Sequence, residues 1–482
     1  MTSVSRRLVL GGATIPFAAW LARQPAFAGP TPRIRRDLST AAAAVDLKKY
    51  ADAVRMMMAR ADSDPRGWVF QWYIHAVRND RGKAAELARV FPAPSPARTL
   101  ANAAWSTCQA HFAGTVEDYF LPWHRMYVFF FEAIIQKLLG DPGFALPYWR
   151  YTAPTQRALP NAFRRPGDPV WGSLYRASRN GPVNAGTAID AGAPGAITTV
   201  SLNQTSYSPL AAQPGFCSQI DGDLHGNVHV LVGNGATGMG SIPWAANDPI
   251  FWMHHCNIDR MWASWNAHGG CNPGSKSWLD HTFTFPDGDG NSVVAKISDF
   301  KALGPLNYAY DALEPGPRIG LCNLFFIPIS ALRNIYLIRE PFPIDPAGPV
   351  ERALALPAAT EVQRSDPAMI KAVGGSHLRL VLDDLRAEAQ PGVLFEVYLK
   401  RTANDAPRRL GVINFFDHVA AEHADHQMLD MESAPPPVKF YSFEVSELVR
   451  GLKAPPTVGF RPLGKPERDV RPVVGSVRIV EG

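Results

Sequence analysis

The sequence predicts an α+β protein: a mainly helical bundle in the N-terminal part, followed by a β-rich, sandwich-like C-terminal part. From about residue 37 to 150 apolar residues recur at helical spacing, as in Trp68, Trp72, His75 and Ala76, or Met126, Tyr127, Phe130 and Phe131. These should be long, core-facing helices. A second helical block covers roughly 222–232 and 249–266. Beyond Asp280 the pattern changes to short alternating runs between turn residues, such as Leu378, Leu380 and Leu382, or Leu394, Glu396 and Tyr398. That period of two predicts antiparallel strands.

The Gly/Ala/Pro-rich passage from about 180 to 215 lacks periodicity and reads as a loop excursion between the helical blocks. A chain of 482 residues with 46% apolar composition can bury a sizeable core and is long for one average domain, so two domains are expected. Charged residues make up 19%, against 43 prolines and 39 glycines, which suits fixed loops rather than a helical repeat array. The 48 basic and 43 acidic residues form no concentrated basic stripe, so the sequence gives no support to a nucleic-acid partner.

The first residues, Ser5-Arg6-Arg7-Leu8-Val9-Leu10, precede a modestly apolar stretch to Trp20 and then Ala26-Phe27-Ala28 before Gly29. In that order they read as a twin-arginine export signal over 1–28, with the mature chain periplasmic or secreted; the plainer alternative is a basic N-terminus. The apolar run is too short and interrupted for a membrane span. The five cysteines, Cys108, Cys217, Cys256, Cys271 and Cys322, are scattered, so they form no disulfide framework, although one or two bridges fit an oxidising compartment. No C-x-x-C pair supports a zinc ribbon.

His225 and His229 lie four positions apart, so on a helix both imidazoles project from one face and can share a metal. By itself this pair leaves metal binding and core packing equally open. Downstream, Asn247-Asp248-Pro249-Ile250-Phe251-Trp252-Met253-His254-His255-Cys256-Asn257-Ile258-Asp259-Arg260-Met261-Trp262 reads as a helix start with aromatic packing and further imidazoles.

H-x-x-x-H followed by D-P-I-F-W-x-H-H-x-x-I-D-R-x-W resembles the copper B half of the tyrosinase and hemocyanin family. Phe120-Leu121-Pro122-Trp123-His124-Arg125 resembles the F-L-P-W-H-R of its copper A half. Ser277-Trp278-Leu279-Asp280, with Phe283, Phe285 and Asn307-Tyr308-Ala309-Tyr310, is similar to the connecting segment of plant-type polyphenol oxidases and its Y-x-Y motif. Residues 350–482 resemble, more loosely, the β-rich C-terminal domain of those enzymes, through 393–398 and 443–448. After the signal read at 1–28, the resemblance implies a dicopper catalytic domain at 29–315, a linker at 316–346 and a lid-like β domain at 347–482.

Carried over residue by residue, the resemblance implies two copper ions. Copper A would be held by His75, His111 and His124, and copper B by His225, His229 and His255. Six imidazoles suit copper in both oxidation states. Of the adjacent pair, His255 is taken because it lies four after Phe251, leaving His254 a supporting or packing role. Asp259, one helical turn after His255, would orient it through hydrogen bonds or instead pair with Arg260 on the helix surface. His111 and His124 lie 13 apart, wider than the family pattern, which places an insertion in Phe112–Tyr119. Cys108, three before His111, is close to but not at the spacing of the family's Cys–His thioether, so a buried thiol is expected.

The implied activity is copper-dependent oxidation of a small phenol or catechol by dioxygen to an ortho-quinone. Family members that hydroxylate monophenols hold a water between an acid and an asparagine. Here Asp221 is the first candidate acid, Asp223 the second, and Asn227 the candidate amide, one position later than usual because Gly226 follows His225. Either carboxylate can instead be a helix-start residue. A hemocyanin-like dioxygen carrier is the alternative. The C-terminal part is further expected to cover the copper mouth, with His418, His423 and His426 as a possible acid-sensitive trigger or else a solvated loop.

Overall fold

The computed structural model describes residues 14–21, 31–111, 118–320, 332–357, 377–419, 440–466 and 470–481. Arg6, Arg7, Ala26-Phe27-Ala28, residues 112–117 of the segment expected to hold the insertion, Cys322, His423 and His426 lie outside the described residues, as does the side chain of His111.

Helix α1 (Ala41–Met58) begins where the Thr40 hydroxyl accepts a hydrogen bond from the Ala43 N–H at 3.2 Å, satisfying one of the first-turn donors. Helix α2 (Trp68–His75) spans only eight residues, and the next two, Lys83–Val90 and Pro96–Ala104, are equally brief. The long helices expected here are thus cut into short ones. Gly82 at φ 76° and Pro96 at a helix start punctuate the apolar pattern without disturbing its phase. Helix α3 (Phe120–Leu139) is buried on every side from Phe120 to Gln136 and stops at Gly140, whose φ of 63° caps its carbonyls. It is the central rod of the bundle.

The 180–215 passage forms short turns, including Gly181–Asn184 and Val200–Asn203, and then runs into a helical segment at Gly215–Ile220. Residues Asp221–His225 widen into a π-helical turn before helix α4 (Gly226–Val232) resumes α geometry. Helix α5 (Ile250–Ala267) lies against α3, with the Phe131 and Trp252 rings stacked at 3.4 Å and 8°. No helix among the described residues is long and apolar enough to cross a membrane.

A buried ionic knot joins α3 and α5 to a parallel strand pair, β1 (Arg33–Arg35) with β2 (Tyr308–Tyr310). The Asp259 carboxylate accepts from Arg125 Nε, from Arg35 Nη1 at 3.2 Å and from the Tyr308 hydroxyl at 2.7 Å; the Tyr310 hydroxyl donates to it as well. Glu132 takes the other side of Arg35 at 3.0 Å. Asp259 therefore does not pair with Arg260, whose Nη2 donates to Glu314 at 2.6 Å instead. Burial works to raise the Asp259 carboxyl, but Arg125 and Arg35, with the Tyr310 and Tyr308 hydroxyls, overcome it and hold it below the ordinary carboxylate value.

The C-terminal part is β-rich as expected. Its strands are β3 (Arg333–Ile338), β4 (Val350–Ala353), β5 (Leu378–Arg386), β6 (Leu394–Lys400), β7 (Arg408–Ile413), β8 (Phe440–Glu444), β9 (Thr457–Leu463) and β10 (Val473–Glu481). They form two antiparallel sheets in the orders β7-β6-β9-β4 and β8-β5-β10-β3. Leu380, Leu382, Phe395, Val397, Phe460 and Ile479, drawn from both sheets, enclose one core distinct from that of the helices. Within the span read as an export signal, Ile15–Pro16 pairs in parallel with Val293–Val294. Phe17 and Trp20 pack there against Phe129 and Phe130, and Trp20 Nε1 donates to Asp287 at 2.9 Å.

The knot makes a quantitative prediction. Asp259→Asn leaves two buried guanidinium groups short of a counter-charge and should cost about 3–5 kcal/mol at neutral pH, read by urea unfolding. Because the folded carboxyl is depressed, its contribution is complete above the unfolded value of about 3.9 and is lost as pH falls through the lower folded value. The gap between wild type and variant should therefore narrow below about pH 4; a gap that does not depend on pH would show that charge is not the cause.

Candidate metal centre

The sequence places imidazoles on five elements, and the packing brings them into one buried volume. His75 ends α2, His124 lies in the first turns of α3, His225 closes the π-helical turn, His229 lies on α4, and His254 and His255 lie on α5. Two donor clusters result, each with its donor atoms within 4.8 Å of one another: His225, His229, His254 and His255 in one, and His75, Cys108 and His124 in the other. The His124 and His255 rings stack across the boundary at 4.1 Å and 4°.

Four of the rings, His124, His225, His229 and His254, are held by Nδ1. His124 Nδ1 meets the Phe120 carbonyl at 2.9 Å, His229 Nδ1 the Met239 carbonyl at 2.7 Å, and His254 Nδ1 the Tyr151 hydroxyl at 2.8 Å. His225 Nδ1 lies 3.2 Å from the Asp221 carbonyl and 3.1 Å from the Asp221 carboxylate. This turns Nε2 of each ring toward the interior, the arrangement by which outer partners fix metal-binding histidines. Burial, reinforced by neighbouring imidazoles, keeps His124, His229, His254 and His255 well below the ordinary histidine value, so they are neutral donors at physiological pH.

His229 Nε2, His254 Nε2 and both ring nitrogens of His255 are buried with no hydrogen-bond partner among the described residues. Such orphans cost about 1–3 kcal/mol each unless a partner arrives. A cation supplies what they lack, and an all-imidazole cluster suits copper or another borderline metal. The residues present therefore fit a copper centre.

Of the sequence-derived site residues, His75, His124, His225, His229 and His255 gather here, together with Asp221. Asn227 is buried close by, but its amide is engaged: Nδ2 donates to the Ala196 carbonyl at 3.0 Å, and Oδ1 accepts from Asn414 Nδ2 at 2.9 Å. Asp223 accepts from Gln219 at 3.2 Å, and burial pushes its carboxyl up to about 7. Sequence reasoning gave no donor role to His254 or Cys108. The adjacent His254-His255 pair was the only hint of the first; Tyr151, which turns that ring inward, lies 103 residues away and carries no motif.

The family model described as the common central domain of tyrosinase matches residues 65–214 and 195–268, the span that carries every one of these histidines. Residues 65–268 are thus similar to the common central domain of tyrosinase. A tyrosinase from Hahella sp. (strain CCB-MM4) is 33% identical over 297 residues, covering 56% of this chain and 61% of that protein. Polyphenol oxidase A1 of Vicia faba is 29% identical over 307 residues, covering 56% and 47%. The chain thus spans roughly half to three-fifths of the length of these curated relatives. A structure of latent apple tyrosinase matches with a TM-score of 0.60 at 22% identity over 98% of this chain and all of that one, a likeness of fold that includes the C-terminal sheets. Three of the five cysteines, Cys108, Cys217 and Cys256, are thiols, whereas Cys271 is disulfide-bonded.

If the orphaned nitrogens await a cation, copper added to metal-stripped full-length protein should stabilise it by about 2.7 kcal/mol at a hundred times the dissociation constant. Differential scanning calorimetry reads this as a rise in Tm that a chelator reverses. An unchanged Tm at saturating copper would show that the clusters are packed cores and not a metal centre.

Proposed function

We propose that this chain is a copper-dependent oxidase that converts catechols and related small phenols to ortho-quinones with dioxygen. The observation that carries the reading is the pair of buried donor clusters, in which His229 and His254 are neutral, held at Nδ1 and without a hydrogen-bond partner at Nε2 among the described residues. In this reading His75, His111 and His124 hold copper A, and His225, His229 and His255 hold copper B. Copper bound there supplies the redox chemistry toward dioxygen. The chain supplies geometry: Asp221 fixes the His225 ring, and Phe251, 4.2 Å from His255 and 5.0 Å from His75, walls both halves from water. The name tyrosinase in the relatives supports this reaction class, and Arg6-Arg7 with Ala26-Phe27-Ala28 supports export of the folded protein.

The same reading makes the C-terminal sheets a lid. Phe416, just beyond β7, stacks its ring on His229 at 4.1 Å and 20° and approaches His225 at 5.7 Å. A phenol docking at copper B needs that space. Asn414 Nδ2 donates to the Gly222 carbonyl at 2.6 Å as well as to Asn227, and the Tyr441 hydroxyl donates to the same carbonyl at 3.0 Å, so the sheets grip the π-helical turn directly. Asn227 can hold a water for monophenol hydroxylation only after Asn414 withdraws. Of the three histidines read as an acid trigger, His418 alone is described.

The activity is tested by oxygen uptake on catechol with copper analysis of the full-length protein. Two coppers per chain with turnover are expected, and His229→Ala or His124→Ala should abolish turnover and remove most of one copper. Oxygen bound reversibly without catechol oxidation would assign the carrier role instead. His255→Ala should lose copper B while His254→Ala keeps it; the reverse outcome would exchange their roles.

For the lid, a ring pair is worth about 0.5–1.5 kcal/mol, so Phe416→Ala should shift the balance of closed and open forms and raise catechol turnover about two- to tenfold. Cleavage within 316–346 should raise it further. A copper-loaded protein that neither change makes faster would have a supporting sheet domain and no lid.

A further inference from the structure

Cys108 has no part in the six-imidazole assignment, yet its Sγ lies 3.5 Å from Nε2 of His124, the nitrogen that the Phe120 carbonyl leaves turned inward. With His75 and His124 it forms the second donor cluster, and all three residues are buried. The backbone holds it there. Ser106 occupies the left-handed region at φ 53°, rare for a residue with a side chain. Its N–H donates to the Tyr73 carbonyl at 2.9 Å, and the Thr107 N–H donates to the Ile74 carbonyl at 3.2 Å. Its hydroxyl accepts from the Val77 N–H at 3.0 Å. Residues 106 and 107 are thereby tied to both sides of His75, and the next side chain in line is the thiol.

We propose that the A half takes up copper(I) through a two-nitrogen, one-sulfur set, His75, Cys108 and His124, with Cys108 as the capturing ligand. Thiolate is the soft donor among the side chains here, and copper(I) the soft ion in copper chemistry, so the first stable bond forms at sulfur. In that step a Cu–S bond forms, the S–H bond breaks and the proton leaves for solvent; copper and sulfur keep their oxidation states. The proposal rests on the copper reading above, but not on the reaction or the lid.

The test uses full-length protein prepared without metal and given copper(I) anaerobically, as a soluble complex, at one equivalent per chain. X-ray absorption at the copper edge should show a sulfur neighbour at about 2.3 Å, the length of a metal–thiolate bond. Cys108→Ala should remove that neighbour and slow uptake of this copper at least tenfold, while a second equivalent still binds. Cys108→Ser, checked for an unchanged circular dichroism spectrum and Tm, should behave like the alanine variant. Bound copper with nitrogen neighbours alone in the wild type would overturn the proposal. So would an intact mass lacking the two hydrogens of a Cys–His cross-link, or unchanged uptake by both variants. If the wild type itself binds no copper, it is the copper reading that fails, not the choice of ligand within it.

Discussion

The two halves of the centre keep their separation because one buried carboxylate, Asp259, is shared between helices. Arg125 directly follows His124 on α3, and Asp259 comes one turn after His255 on α5. Their ion pair therefore locks together the two helix segments whose imidazoles stack at 4.1 Å. Arg35 and the tyrosines of β2 close the knot from the other side, which is why a short parallel strand pair far from either cluster matters to the geometry between them. A buried pair of this kind adds little net stability over a well-packed apolar substitute; what it fixes is register. Sliding α3 along α5 would strand charges in the core, so the helices have one alignment available.

The parts of the molecule set by local pattern could be read from the chain. Helical spacing located α3 and α5, and alternation located β5 and β6, because both signals depend only on near neighbours and on one face being buried. The gathering of His75, His124, His225, His229 and His255 was legible through motif spacing rather than through any physical rule. Contacts between residues far apart in sequence could not be read. Nothing near Asp259 announces Arg35, 224 residues away, and nothing near Asn227 announces Asn414, 187 residues away. The short helices between residues 59 and 119 were read as long ones because their glycines and prolines interrupt the backbone while leaving the apolar phase intact.

The β part adds to the centre as well as covering it. Asn414, Phe416 and Tyr441 reach the segment that carries His225, so the sheets restrain the same turn that positions a donor. A contact of this sort couples access to geometry: whatever loosens the sheets also relaxes the π-helical turn beneath them. The Phe17 and Trp20 side chains give the helical part a comparable tie at its opposite end, where they fill an aromatic cluster with Phe129, Phe130 and Phe300.

The widened turn at Asp221–His225 bears on how such a centre can vary over evolutionary time. A π-helical turn is an α-helix carrying one surplus residue, and each residue in a helix accounts for about 100° of rotation. Losing Gly222, Asp223 or Leu224 would restore regular geometry without disturbing His225 and His229, but would swing Asp221 and everything before it by that angle. The placement of the carboxylate beside His225 is thus governed by the length of the chain, not its composition. One deletion can detach the acid from the donor pair in a single step, whereas a sequence of substitutions would have to pass through intermediates with a misplaced charge.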